Sequence, residues 1–281
     1  MMLTRRLFVS GAAAATASCL CSARIGSAQS IQTDALHICT ELILADVNLA
    51  NRISTEENPN NKPVNSTNKD AEAISLSQKK WHPKRRILSV DFTETVPFED
   101  KIIKFAKEWE QFMGMRLKFG RGDPDILASF SKGGSWSYVG TDSRYFAKKG
   151  IPSMNFGWFD RNTQDSEFSR TTLHEFGHAL SLVHEQQHPH GEISWKKEKV
   201  YAYYKNLGWE KEDVDKNIFA KYDLGQINGG EYDRHSIMHY PIPAELVSES
   251  ADVVGWNNDL SANDKIVIGA LYPDIQTGLP L

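Results

Sequence analysis

Residues 174–184 read HEFGHALSLVH, and this stretch decides how the 281-residue chain is read. On a helix, His174 and His178 lie one turn apart, so their imidazoles project from one face and can close on a single metal. Glu175, one residue further round, can reach a water on that metal. His184 follows six residues after His178, where a helix that ends and turns back would present another ligand. Neutral imidazole suits zinc, and three protein ligands leave the fourth position open to water, as in catalytic rather than structural zinc sites. The expectation is one Zn2+ per chain held by His174, His178 and His184, with Glu175 as general base. His-Glu-x-x-His alone is a moderately specific signal. The competing reading is an amphipathic helix whose histidines are surface or hydrogen-bonded groups, which requires three histidines and the glutamate to coincide by chance.

Working outward, PSMNFGW at 152–158 reads as a strand before the polar turn FDRNTQDS, and Ser166 or Ser169 can cap the metal helix. Further upstream, Arg86–Phe92 alternates apolar and polar residues as a half-buried strand does. A helix is expected over Phe98–Met113, with strands at Met115–Phe119 and Asp125–Phe130; GGSWSYVG after them reads as a Gly-rich connection. Beyond His184 the pattern is mostly loop, with short helices at Trp195–Lys205 and Glu210–Phe219. Ser261 and Asp264 form a capping-box pattern for a last helix through Leu271, limited by Pro273. The layout is α+β. A small sheet with two packed helices occupies a first subdomain (about 81–184), and an irregular second subdomain (185–281) ends in a helix.

Residues 1–28 have a basic start, an Ala-rich middle and small residues at Gly26 and Ala28, which reads as an export signal cleaved near Ala28. Arg5-Arg6 with Phe8 gives it a twin-arginine character, a general secretory signal being the alternative. No later stretch is apolar enough to span a bilayer. Losing Arg5, Arg6 and Arg24 with no acid takes the formal net charge from −4 to −7, which argues against nucleic acid or an anionic membrane surface as partner. Residues 33–50 carry apolar side chains at helical spacing and read as one amphipathic helix. Residues 51–80, rich in Asn, Ser, Lys and Glu, read as a polar linker. Together, 29–80 could serve as a pro-segment ahead of a catalytic domain at 81–281. Cys19 and Cys21 leave with the signal, so Cys39 is the only mature thiol and no intramolecular disulfide forms. Cys39 could block the zinc as a latency ligand; burial as a small hydrophobe on the 33–50 helix is the reading favoured.

HEFGHALSLVHE at 174–185 and SIMHY at 236–240 resemble the metzincin zinc endopeptidases and, within them, the astacins; a weaker likeness runs from Trp81 to Pro273. The resemblance implies a metzincin-like fold, a twisted mixed sheet followed by the irregular subdomain, with the zinc cleft between them. It implies that Met238 forms an apolar floor under the histidines and that Tyr240 approaches the zinc or the reacting oxyanion. It also implies that Glu185 pairs with a new N-terminus after removal of a pro-segment, the alternative being a pair with a nearby Lys or Arg. Metzincins usually have Gly where this chain has Ser181; a left-handed non-Gly residue costs about 1–2 kcal/mol, so either Ser181 bears that strain or the helix ends differently. The paired disulfides of animal astacins are absent, which points to a bacterial type. Four-coordinate zinc has no room for His188, His190, His235 or His239, which read as surface or hydrogen-bonded groups.

The function expected is peptide-bond hydrolysis in polypeptide substrates, the substrate pairing by strand addition with Ser153–Phe156. Two alternatives stand beside it. A different metzincin branch is disfavoured by His239-Tyr240 after the methionine and by the absence of calcium-binding repeats. A silent exported zinc-binding module is disfavoured by the intact Glu175.

Overall fold

The computed structural model describes residues 37–61 and 78–274, apart from 224, 226 and 229. The export signal falls outside the described residues. So do the start of the expected 33–50 helix and part of the 51–80 linker.

Six strands form one mixed sheet in the order β1-β5-β6-β4-β2-β3. They are β1 (Cys39–Leu42), β2 (Ile87–Phe92), β3 (Arg116–Phe119), β4 (Ile126–Ser129), β5 (Ser135–Tyr138) and β6 (Met154–Asn155). β5 pairs antiparallel with β6, whereas β1 runs parallel to β5 and the remaining pairs are parallel. Alternation along β2 buries Leu88, Val90 and Phe92. These side chains pack with Trp109, Met113 and Phe176 in a first core cluster. α2 (Glu99–Ala106) covers this face with Ile102, Phe105 and Ala106, and a 3-10 turn over Lys107–Gln111 extends it.

The 33–50 helix is corrected by the structure. Within its described part Cys39–Leu42 form β1, and the helix, α1 (Val47–Glu57), begins only at Val47, with Asp46 accepting from Leu49 N at 3.0 Å. The described part of the 51–80 linker is also ordered against the domain: Asn61 donates to Lys80 O at 2.7 Å, and Glu57 pairs with Arg85 at 2.6 Å and also with Arg144. GGSWSYVG contains β5, and it is followed by α3 (Asp142–Ala147).

The metal helix α4 (Asp165–Ala179) is buried from Phe168 to Ala179, threading the core rather than lying on the surface. Its N-cap is Gln164, not Ser166 or Ser169; Ser169 instead donates to Asn258 O at 2.9 Å. The chain then passes through α5 (Lys197–Asn206), α6 (Lys211–Val214) and a π-helical turn (Asp215–Phe219). Val200, Tyr204, Ile218 and Ile242 build a second core cluster there. α7 (Ala262–Leu271) closes the chain with a complete Ser261/Asp264 capping box.

Candidate metal centre

α4 leaves its axis through Ser181, the non-glycine residue with positive φ among those described, at +74°. A buried helix end must satisfy its last carbonyls locally. His178 O receives Gly140 N at 2.9 Å and Ser181 N at 2.8 Å, Ala179 O receives the Trp81 indole at 2.7 Å, and Leu180 O receives the Tyr272 hydroxyl at 3.1 Å. Ser181 bears the left-handed conformation while its own hydroxyl donates to Lys79 O at 2.8 Å and meets Tyr272 Oη at 3.1 Å. Leu182 N returns to Gly177 O at 2.9 Å, the 6→1 bond of a Schellman ending, which turns His184 back toward the helix.

The exit brings His184 beside the two helical histidines. His178 Nε2 lies 3.1 Å from His174 Nε2 and 3.2 Å from His184 Nε2. Ligand nitrogens at about 2.0 Å around a tetrahedral zinc stand roughly 3.3 Å apart, so the residues fit that ion. The outer nitrogens are fixed: His174 Nδ1 donates to Ile237 O at 2.8 Å and His178 Nδ1 to Leu182 O at 3.0 Å. Such outer bonds orient the imidazoles and leave Nε2 for the metal. Burial pushes the basicity of all three histidines down, His178 to about 4, which favours the neutral, ligating form. Among the described residues these three form the group of side chains able to hold a metal.

Glu175 is fully buried, and beyond the neighbouring Cys39 thiol neither of its carboxylate oxygens has a hydrogen-bond partner. Burial raises its pKa to about 8. A buried carboxylate beside a three-nitrogen cluster fits a cation and its water, and it is costly without them. Met238 packs from below so closely that a side chain at Gly177 would meet its sulfur at 2.4 Å. Asp264 holds the methionine turn by accepting from Ser236 Oγ at 2.7 Å and Ile237 N at 2.8 Å. The Tyr240 ring lies 4.4 Å from that of His184, and its hydroxyl donates to Cys39 O.

The remaining histidines stay outside this cluster. His239 bonds Tyr232 Oη at 2.9 Å and Tyr240 O at 2.6 Å, His188 donates to Gly230 O at 3.1 Å and packs against His190, and His235 is exposed.

Sequence reasoning missed what faces the cleft from β1. Cys39 is buried on this strand, not on a helix; burial raises its thiol pKa, with the Glu175 charge adding to the effect. Glu41 accepts from His184 N at 3.3 Å and from the Tyr222 hydroxyl, and its carboxylate stands 3.6 Å from His184 Nδ1. Arg170, one turn before His174, donates to His37 O at 3.1 Å and clasps Glu167 at 2.6 Å. The i, i+4 spacing of Arg170 and His174 put them on one face of α4, a signal available in the sequence. β6 lies inside the sheet between β5 and β4, so Ser153–Phe156 is not an edge open to strand addition as expected; β5, its neighbour toward β1, is paired by β1 along residues 135–138.

A ligand helix turning over a methionine-bearing segment defines the class of metzincin zinc peptidases. The family model for astacin, peptidase family M12A, matches residues 73–272, and the chain belongs to that family. The astacin assignment replaces the alternative metzincin branches. Two solved structures of myroilysin are similar. One is 42% identical with a TM-score of 0.67 over 71% of this chain and 98% of that one; the other is 37% identical with a TM-score of 0.54 over 85% and 92%. Zinc metalloproteinase nas-38 of Caenorhabditis elegans is 30% identical over 168 residues, 58% of this chain and 20% of that protein. Blastula protease 10 of Paracentrotus lividus is 31% identical over 121 residues, 42% of this chain and 17% of that protein. The chain thus spans about a fifth of the length of these curated relatives.

Proposed function

We propose that this chain is an active endopeptidase with one zinc per chain, His174, His178 and His184 as ligands and Glu175 as general base. The observation that carries this reading is the buried Glu175 carboxylate, met only by the Cys39 thiol, beside three converging imidazoles in which His178 Nε2 lies 3.1 Å from that of His174 and 3.2 Å from that of His184. Zinc held there would supply a Lewis acid for the scissile carbonyl and lower the pKa of water. Glu175 takes the proton of the attacking water and passes it to the leaving amine; a carboxyl raised toward neutrality by burial suits both transfers. Tyr240, released from Cys39 O, donates its hydroxyl to the oxyanion that forms. An extended polypeptide pairs with the β5 edge.

Residues 29–80 act as the pro-segment in this reading, and 1–28 direct export. Support for the first comes from β1, which occupies the β5 edge and engages Tyr240 and His184. Support for the second comes from the basic, Ala-rich start; no described helix is long and apolar enough to cross a membrane. After cleavage, the new N-terminal ammonium pairs with Glu185. That carboxyl is largely buried and raised to about 8, with the Asp264 and Asp233 charges adding to the effect of burial; the Asp233 N–H and the Lys221 charge offset this only in part. A silent zinc-binding module has no specific observation in its favour.

Glu175→Gln tests the reading. The variant should retain one zinc by elemental analysis and lose at least about a hundredfold in casein cleavage, the scale of a general base. Undiminished cleavage would sink the mechanism.

A further inference from the structure

The two faces of β5 differ. Toward α4, Ser135 and Ser137 are buried, and their register partners Cys39 and Glu41 meet Glu175 and His184. On the opposite face, Trp136 and Tyr138 stay half-exposed, and the Tyr138 ring stacks on Phe146 at 4.0 Å. With Ile151 and Pro152 they bound a groove of about 360 Å³. That volume falls within the range of ligand sites. Ile151 is 48% exposed, and neither it nor the three aromatics belongs to either core cluster, so the core does not explain this apolar surface. Leu42, the register partner of Tyr138, lines the groove. The rim carries Lys132 and the lining holds no carboxylate, so a basic side chain gains no partner there.

We propose that this groove is a side-chain subsite for substrate. In the resting chain it holds Leu42; in turnover it takes a large aliphatic or aromatic side chain of the polypeptide that pairs with β5. The subsite rests on the peptidase reading above and adds the chemistry by which substrates are selected. Leu42 is three residues from Cys39, roughly 10 Å along a strand. The selected side chain therefore lies two to four residues from the scissile bond, facing away from the metal.

The test uses the full-length zinc-loaded protein in two arms. In the first, protein activated by limited proteolysis digests a peptide library, and the cut sites are read by mass spectrometry. One position two to four residues from the cut should be enriched in Leu, Ile, Phe or Tyr, with kcat/KM about tenfold higher for Leu than for Ala there, the scale of burying one such side chain. Ile151→Glu, a change at an exposed residue of the groove, should abolish that preference and admit Lys or Arg. An unchanged profile in Ile151→Glu, or no apolar preference in the wild type, overturns the subsite.

The second arm follows hydrogen exchange of residues 39–42 in the unactivated chain. Leu42→Lys should speed exchange at least tenfold, and adding Ile151→Glu should restore much of the protection. Exchange unaffected by Leu42→Lys overturns the groove as the seat of that side chain. Absence of any cleavage by the wild type, with the exchange pattern intact, would overturn the peptidase reading instead.

Discussion

Ser181 holds the exit of the ligand helix at φ +74° through two contacts of its hydroxyl group, which donates to Lys79 O and lies 3.1 Å from Tyr272 Oη. The left-handed conformation costs roughly 1–2 kcal/mol for a residue with a Cβ, and each bond returns about 1 kcal/mol. Ser181→Ala keeps the strain and loses both contacts, leaving Lys79 O with Thr141 N alone and Tyr272 Oη with Leu180 O and Trp81 N. It should destabilise the zinc-loaded protein by about 1–3 kcal/mol in urea denaturation. Ser181→Gly loses the same bonds but relieves the strain, so it should fall between the alanine variant and the wild type. An alanine variant as stable as the wild type would show that the hydroxyl is not what tolerates the turn.

At the scale of elements, the first turn of α4 ties the helix to the chain entering β1. Burial pushes the Glu167 carboxyl up, but hydrogen bonds from His37, Arg170 and Thr171, with the Arg170 charge, overcome it and hold the pKa at about 2. A folded-state pKa below the unfolded value gives stability that is present above about pH 4.5 and lost as pH falls toward 2. Glu167→Gln should therefore lower stability at neutral pH by an amount on the order of 1–3 kcal/mol. Its gap to the wild type should close between about pH 4.5 and 2, read by chemical denaturation across that range. Parallel pH profiles would remove Glu167 from this role.

Glu57 makes a second tie, from α1 to Arg85 and Arg144. Burial raises its pKa, and the bond and charge of Arg85, then the charge of Arg144, bring it below the usual carboxylate range. Glu57→Gln should leave the 47–57 helix several-fold more open to limited proteolysis, while the rest of the domain resists as before. Equal digestion of the two forms would mean that the ion pairs do not anchor α1.

These elements also show what the sequence made legible. β2, α2 and α7 carry clear period-2 or period-3.6 patterns and end signals, and all were readable. β5 was not, because its alternation is inverted: serines face inward and Trp136 and Tyr138 face outward, behind two glycines. β1 was misread for a different reason. Its run of apolar residues suits either period, and what makes it a strand is pairing with residues 135–138, far along the chain. The metal helix was evident from its histidines, whereas Glu41 became part of the site only through that long-range pairing.

For the molecule as a whole, three buried imidazoles and a buried carboxylate join the sheet cluster to the segment after α4. A bound metal stabilises only the folded state, by about 4 kcal/mol when free metal exceeds its dissociation constant a thousandfold. Zinc removal by a chelator should lower Tm by about 10 °C for a domain of this size, and zinc should restore it. The change, read by calorimetry, would be absent if the folded chain bound no ion.

The parallel strand β1 has a consequence for how the protein survives before it works. Without it, the outer backbone groups of β5 would stand open beside Trp136, and an open strand edge is a template on which other chains stack. Residues 39–42 thus act as a selvedge, keeping newly folded copies from knitting together at the edge where substrates would later be received.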